Sequence, residues 1–248
     1  MNKATTTHTV RLAASADFPA LRELFAAQTT LGDGPSSRVL VATDARGQLL
    51  AGLCLQGGVG MTAPRHWLRL GLVVHAAAEL KLYSQQTTLL LGNDLTGAAE
   101  ITAWGCWRGN SPEPTGHQAL VDLVHEAQRV VRTEPEHFGN RLIVQLPGLR
   151  DETGTSPFWQ GLGRHFYRGD PAQAAVHHGA AWRSHVAALL PRNLVYASFL
   201  PPAAQAAIGQ ADPALAAQRF AFESAGLRWR QHIAIDDAGP TLEWSIDD

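Results

Sequence analysis

Apolar residues recur along the chain with two different spacings, and the two alternate. Val10–Leu12 reads as a short strand. Ser15 or Asp17 is then placed to cap a helix through about Ala27, with Leu21, Leu24 and Phe25 on one face. Arg38–Thr43 and Leu49–Leu55 are apolar runs joined by Asp44–Gly47, a turn that carries glycine, so the pair predicts an antiparallel hairpin. Leu68–His75 and Thr87–Leu91 are further strand candidates, and Glu100–Trp107 is an apolar strand rich in aromatics. A loop rich in Gly, Ser and Pro, Arg108–Thr115, precedes a helix over Gly116–Arg132, where Leu120, Leu123, Val124, Ala127, Val130 and Val131 fall at helical spacing between charges.

The second half continues the alternation. Arg141–Leu146 is a strand of the buried type. Ser156-Pro157 starts a helix with a hydroxyl cap and a proline in the first turn. Pro201–Ile208 predicts a helix, and Ala214–Ala225 predicts another that Gly226 closes. Arg228–Ile235 and Thr241–Ile246 form a closing hairpin, and Ala172–Ala217 is rich in alanine. Strands alternating with helices put the chain in the α/β (α+β) class. Its 248 residues suit one large domain with an elaborated half, about 150–248, and no repeat divides it.

Charge and composition remove several functions. Twenty basic and 22 acidic residues leave a formal net charge of -2 with no basic stripe, so nothing favours a nucleic-acid partner. No apolar run reaches the roughly 20 residues that span a bilayer, and Met1–Thr9 lacks the apolar centre of a signal peptide. Cys54 and Cys106 both lie in apolar runs and read as buried reduced thiols, which fits a cytoplasmic protein. His177, His178 and His185 lie among alanines with no carboxylate or cysteine spaced to complete a metal site, so no metal is expected. His75, at the end of an apolar strand, reads as a structural hydrogen-bonded histidine. No Gly-x-Ser-x-Gly elbow exists to support a serine hydrolase.

Several segments resemble a known family. Leu91-Gly92-Asn93-Asp94-Leu95-Thr96-Gly97 looks like its Asn-Asp-x-Thr-Gly stretch, and Val74-His75-Ala76 followed by Glu79-Leu80 looks like its His-Ala-Ser segment. Ser156-Pro157-Phe158-Trp159, continuing to Leu162-Gly163 and Phe166, is similar to its Ser-Pro-Phe-Trp helix. Ala204-Gln205 with Ile208-Gly209-Gln210, and Gly239-Pro240-Thr241-Leu242-Glu243, match two later elements in the same order. On these segments the chain resembles the arginine N-succinyltransferase family. The resemblance implies a GNAT-like (acyl-CoA N-acyltransferase) fold, with a central mixed, mostly antiparallel sheet flanked by helices. It also implies transfer of a succinyl group from succinyl-CoA, as cosubstrate, to the α-amino group of arginine or, in some members, ornithine, opening a route of arginine breakdown. Assembly into a homo-oligomer, or with a paralogous subunit, goes with it. The family continues past Gly-Pro-Thr-Leu-Glu, whereas this sequence ends five residues after Glu243.

Acyl transfer from a thioester to an amine needs a held pyrophosphate, a polarised carbonyl, a deprotonated amine and a stabilised leaving thiolate. The family's Arg-x-x-Gly-x-Gly phosphate loop corresponds to Ser111–Gly116, where Gly116 alone is kept, Pro112 and Pro114 remove N–H donors and Glu113 adds negative charge. The resemblance puts the acyl-CoA contact, with its backbone donors, near Trp104. It puts Asp212, within Gly209-Gln210-Ala211-Asp212-Pro213, where the family has its proton-donor histidine. A carboxylate there can act as general base; it can also be the cap of the helix that follows. Asp94 and Glu100 are candidate carboxylates for a cationic acceptor. Two readings follow. One is an active acyltransferase that uses Trp104, Gly116 and Asp212. The other is a non-catalytic subunit or binding protein that keeps the fold without the donor site and proton donor.

Overall fold

A computed structural model describes residues 8–25, 34–107 and 113–247. Strand β1 (Thr9–Leu12) leads through a single 3-10 turn into helix α1 (Phe18–Phe25). The cap is Asp17 reaching back: its carboxylate accepts the Ala14 N–H at 2.7 Å and is held by Arg11. Ala26 and Ala27, the expected end of this helix, lie outside the described residues. The hairpin β2 (Ser37–Thr43) and β3 (Leu49–Gln56) turns on Asp44, whose carboxylate accepts the Arg46 and Gln48 N–H groups at 2.8 Å. Strands β4 (Trp67–Ala77) and β5 (Leu82–Gly92) form a second hairpin, longer than the sequence predicts, and β6 (Ala99–Cys106) follows.

Helix α2 (Glu113–Thr133) starts three residues before Gly116, because Pro114 is tolerated in a first helical turn. The short α3 (Pro135–Phe138) returns the chain to β7 (Arg141–Gln145). Helix α4 (Pro157–Gly161) is capped as its sequence requires, with the Ser156 hydroxyl accepting the Trp159 N–H. The alanine-rich stretch holds α5 (Pro171–His178) and α6 (Trp182–Leu189), then a two-residue strand β8 (Val195–Tyr196) and α7 (Pro202–Ala207). Helix α8 (Ala216–Ser224) and the hairpin β9 (Arg228–Ile233) and β10 (Pro240–Ser245) complete the chain.

Among the described residues the strands make one ten-stranded sheet in the order β1-β2-β3-β6-β7-β10-β9-β4-β5-β8. Every pairing is antiparallel except β6 with β7, which is parallel. Apolar clusters cover it, two of them large. Under α2 and α8, Leu53, Ile101, Leu123, Val124, Leu142, Phe222 and Leu242 pack together and hold β3, β6, β7 and β10. Under α4, α6 and α7, Leu89, Phe158, Trp159, Trp182, Val186 and Ile233 hold β9, β4 and β5. The far end of the β4–β5 hairpin leaves this cover and exposes Leu72, Val74 and Tyr83. His75 is exposed there and stacks on Tyr196 at 6.2 Å, so its partner is a ring rather than the expected hydrogen bond.

Candidate active site

The parallel pair at the centre of the sheet is short. Residues Ala99 and Glu100 face Leu142 and Ile143, and there the β6–β7 ladder ends. One residue later the pairing of β6 with β3 slips: Leu55 faces Ile101 and Cys54 faces Ala103, so Thr102 is the extra residue of a β-bulge. The two strands part at this point. The edge of β6 then borders a cleft of about 720 Å³ instead of a strand. Backbone N–H groups along such an edge are donors already fixed in place, which is what a developing oxyanion requires.

The base of the cleft is tied across the split. Arg65 forms an ion pair with Glu100 of β6 and donates to the Gln145 Oε1 of β7 at 2.9 Å. Its guanidinium also lies over the Trp67 ring, 5.1 Å from the centroid. Glu100, a candidate acceptor carboxylate from the sequence, is therefore committed to Arg65. On the α8 side, Trp104 lines the cleft, half buried, with its ring edge-on to Phe222 at 5.3 Å. A side chain of that size narrows the space beside the bulge.

The top of the cleft is the turn between β9 and β10, where Asp236 and Asp237 are both buried. That turn sits directly on the chain leaving β7. A Cβ on Gly148 would lie 2.1 Å from the Asp237 carbonyl oxygen, and one on Gly239 would lie 2.1 Å from the Leu146 carbonyl oxygen. Only glycine allows this approach of backbone to backbone. Asp237 ties the turn: its carboxylate accepts the Gly239 N–H at 3.0 Å and meets Arg150 at 3.2 Å. Burial, then the neighbouring Asp236 charge, pushes its carboxyl above the usual range, and the Gly239 and Gly148 amides and Arg150 offset this in part.

Of Trp104, Gly116 and Asp212, Trp104 lines this cleft, while Gly116 and Asp212 are not among its lining residues. Gly116 is buried in the first turn of α2, and the Cys106 thiol donates to its carbonyl at 3.3 Å. Ser111 and Pro112 of the loop before it lie outside the described residues. The Asp212 N–H donates to the carbonyl of Pro147, a residue of the cleft wall, at 2.9 Å. Its carboxylate accepts the Ala214 N–H at 2.9 Å and so caps the turn Pro213–Leu215. Cys54 and Cys106 are free thiols, and burial pushes Cys54 up to about 12. Among the described residues no group of three or more His, Cys, Asp or Glu is arranged to hold a metal.

A second hollow of about 710 Å³ opens on a different part of β9 and β10. Buried His232 spans two carboxylates there, with Nδ1 at 2.6 Å from Glu243 and Nε2 at 2.8 Å from Asp94. Asp94, the other acceptor candidate, thus belongs to this hollow, with Arg69 at 3.8 Å. Burial lowers the His232 pKa, and the hydrogen bonds to Glu243 and Asp94 more than offset it, so the net shift is upward. Sequence reasoning did not single out His232. Its signal was indirect, since Asp94 and Glu243 each lie in a segment with family resemblance and the fold brings both to one imidazole. A raised folded-state pKa stabilises the fold fully below the ordinary histidine value of 6.5, and the contribution is lost as pH rises through the higher folded-state value. His232→Gln is accordingly expected to flatten the fall in melting temperature on going from pH 6 to pH 9. An unchanged slope in thermal melts would remove this role.

Comparison with known proteins follows the same lines. The model of the arginine N-succinyltransferase beta subunit family matches residues 22–248. Arginine N-succinyltransferase of Shigella boydii serotype 18 is 35% identical over 226 residues, covering 90% of this chain and 64% of its own. The enzyme of that name from Escherichia coli strain SMS-3-5 is 34% identical over 226 residues, with the same coverage of 90% and 64%. The chain thus spans 64% of the length of the curated relatives it matches. In fold it is similar to the arginine/ornithine succinyltransferase subunit AI from Pseudomonas aeruginosa. That match has a TM-score of 0.67 and 23% identity, over 96% of this chain and 76% of that one. The mixed sheet flanked by helices is the architecture that the quoted motifs implied. With a family model running from Arg22 through β10, and the motif-bearing segments gathered around one sheet, the chain belongs to the arginine N-succinyltransferase family.

Proposed function

We propose that the protein is an acyltransferase that moves a succinyl group from succinyl-CoA to the α-amino group of arginine or a related amine such as ornithine. The observation that carries this is the parting of β6 from β7 at the Thr102 bulge, in a chain of this family. A thioester laid along the β6 edge would meet backbone N–H groups at its carbonyl oxygen. Charge that develops there in the transition state is stabilised by donors that need no reorganisation. The acceptor's ammonium must first lose a proton. The neutral amine then attacks the carbonyl carbon, the C–S bond breaks, and the CoA thiolate leaves and takes up a proton. In this reading Trp104 bounds the acyl group, Gly116 stands in the first turn of α2 beside the CoA arm, and Asp212 is the candidate proton-moving carboxylate, its backbone N–H bonded to Pro147 of the cleft wall.

A second reading, a non-catalytic subunit or binding protein, is favoured by one observation: the Asp212 carboxylate is engaged as a helix cap. Turnover separates the two. Protein mixed with succinyl-CoA and arginine is expected to release free CoA thiol and form N-succinylarginine by mass spectrometry. Absence of product with arginine, ornithine and other amines would favour the second reading. Asp212→Ala is expected to lower turnover if that carboxylate moves a proton, and to lower stability by about 1 kcal/mol with unchanged turnover if it is only a cap.

The reading carries a cytoplasmic location, in keeping with two free thiols, and among the described residues no helix is long and apolar enough to cross a membrane. It also carries an oligomer, of identical copies or with a paralogous subunit. The exposed apolar residues Leu72, Val74, Leu80 and Tyr83 on the β4–β5 hairpin support such an assembly.

A further inference from the structure

Two adjacent carboxylates top the cleft, and they are used differently. Both oxygens of Asp237 have partners, the Gly239 N–H on one and Arg150 on the other. Asp236 is only 5% exposed, and its Oδ2 lies 3.9 Å from Arg150 and 3.9 Å from Arg183. Those separations give charge attraction without a hydrogen bond. Its Oδ1 is buried with no hydrogen-bond partner among the described residues. Leaving a carboxylate oxygen buried and unmet costs free energy, so such an atom marks a place where a donor from outside the chain belongs.

The surroundings define that donor. Asp236 lines the cleft with Arg150 and Arg183 beside it, each arginine side chain about one-third exposed. An isolated cation would meet these two positive groups as well as the carboxylate. A molecule carrying an ammonium and a carboxylate on one carbon satisfies both: the ammonium donates to Asp236, and the carboxylate is received by guanidinium groups. That is an α-amino acid bound through its backbone end. Its α-nitrogen then lies in the cleft that β6 borders.

We propose that Asp236 is the catalytic carboxylate that binds the acceptor's α-ammonium and takes its proton, with Arg150 and Arg183 receiving the acceptor's α-carboxylate. This rests on the acyltransferase reading and assigns within it a role for which Asp212 is the alternative. One N–H bond of the ammonium breaks, its proton passes to Asp236, and the freed electron pair forms the C–N bond to the thioester carbonyl. The second proton lost from nitrogen offsets the one taken up by the departing thiolate. The rigid turn held at Gly148 and Gly239 fixes Asp236 for this step.

The test combines a variant with an analogue series on the unaltered protein. Asp236→Asn is expected to bind succinyl-CoA as the wild type does and to lose turnover by about 100-fold or more, the low end of what a positioned base contributes. Arg183→Gln is expected to raise KM for the acceptor with kcat little changed. By calorimetry on wild-type protein holding CoA, arginine is expected to bind at least about tenfold more tightly than either agmatine, which lacks the carboxylate, or 5-guanidinopentanoate, which lacks the α-amine. This series decides the matter even if Asp236→Asn does not fold. An active wild type with full turnover in Asp236→Asn, or with equal affinity for arginine and 5-guanidinopentanoate, overturns this inference alone. A wild type that neither binds succinyl-CoA nor turns over any amine overturns the acyltransferase reading and this inference with it.

Discussion

Gly148→Ala is expected to destabilise the protein by about 3 kcal/mol or more, well beyond a typical surface substitution. The added methyl would stand 2.1 Å from the Asp237 carbonyl oxygen and 2.8 Å from the Gly239 nitrogen. Both are backbone atoms of a closed turn, so neither can swing aside as a side chain would. The turn is locked from several directions: Ala234 donates to Gly239 at 2.9 Å, Gly209 donates to Ala238 at 2.9 Å, and Leu146 donates to Pro240 at 3.0 Å. Relief has to come from lifting the β9–β10 turn off β7, which moves Asp236 and Asp237 together. Denaturant unfolding is expected to show a lower midpoint, and acyl transfer is expected to fall further than stability alone explains. Gly34→Ala is the control, since nothing lies within 4 Å of an added Cβ there, and a change within about 0.5 kcal/mol is expected. Equal midpoints for the two variants would show that the close approach is not a constraint.

Arg65→Ala is expected to cost about 3–5 kcal/mol, because it leaves the buried Glu100 without its counter-ion. Glu100 is 8% exposed and lies where β6 and β7 part, so water cannot replace the guanidinium freely. Gln145 loses its donor in the same step, and Trp67 loses the cation over its ring. Adding Glu100→Gln to Arg65→Ala removes the stranded charge and is expected to restore much of the loss. A double-mutant cycle in urea measures the coupling. If Arg65→Ala and the double variant unfold at the same midpoint as the wild type, the pair does not brace the split.

Much of this architecture was readable before any coordinates. The two apolar runs Arg38–Thr43 and Leu49–Leu55, joined by the glycine-bearing turn Asp44–Gly47, specified the first hairpin, and the helical spacing of Leu120 to Val131 specified the face that α2 buries. Ser156-Pro157 specified a helix start through its hydroxyl and missing N–H. Trp104, named through family resemblance, does line the cleft. What stayed hidden depends on contacts between distant parts of the chain. Arg65 meets Glu100 and Gln145 from 35 and 80 residues away, and His232 meets Asp94 across 138. No local spacing encodes such pairs. The bulge at Thr102 is likewise set by how β3 and β6 register, and Thr102 carries no unusual residue type to announce it. Asp236-Asp237 in sequence is an ordinary acidic turn; the close approach at Gly148 and Gly239 buries it and leaves one oxygen of Asp236 without a hydrogen-bond partner among the described residues. Helices α5 and α6 are each only eight residues long and lie within the alanine-rich stretch, too short for an apolar period to delimit them.

The most direct test of the acyl-CoA cleft is calorimetric titration of the purified protein with succinyl-CoA, with free CoA as comparison. Saturable binding is expected for both, tighter for the succinyl form, because in the proposed reading only the thioester carbonyl would reach the donors along β6. No heat from either ligand at concentrations up to about 1 mM, where an affinity of even about -4 kcal/mol would register, would contradict a donor site between β6 and β7.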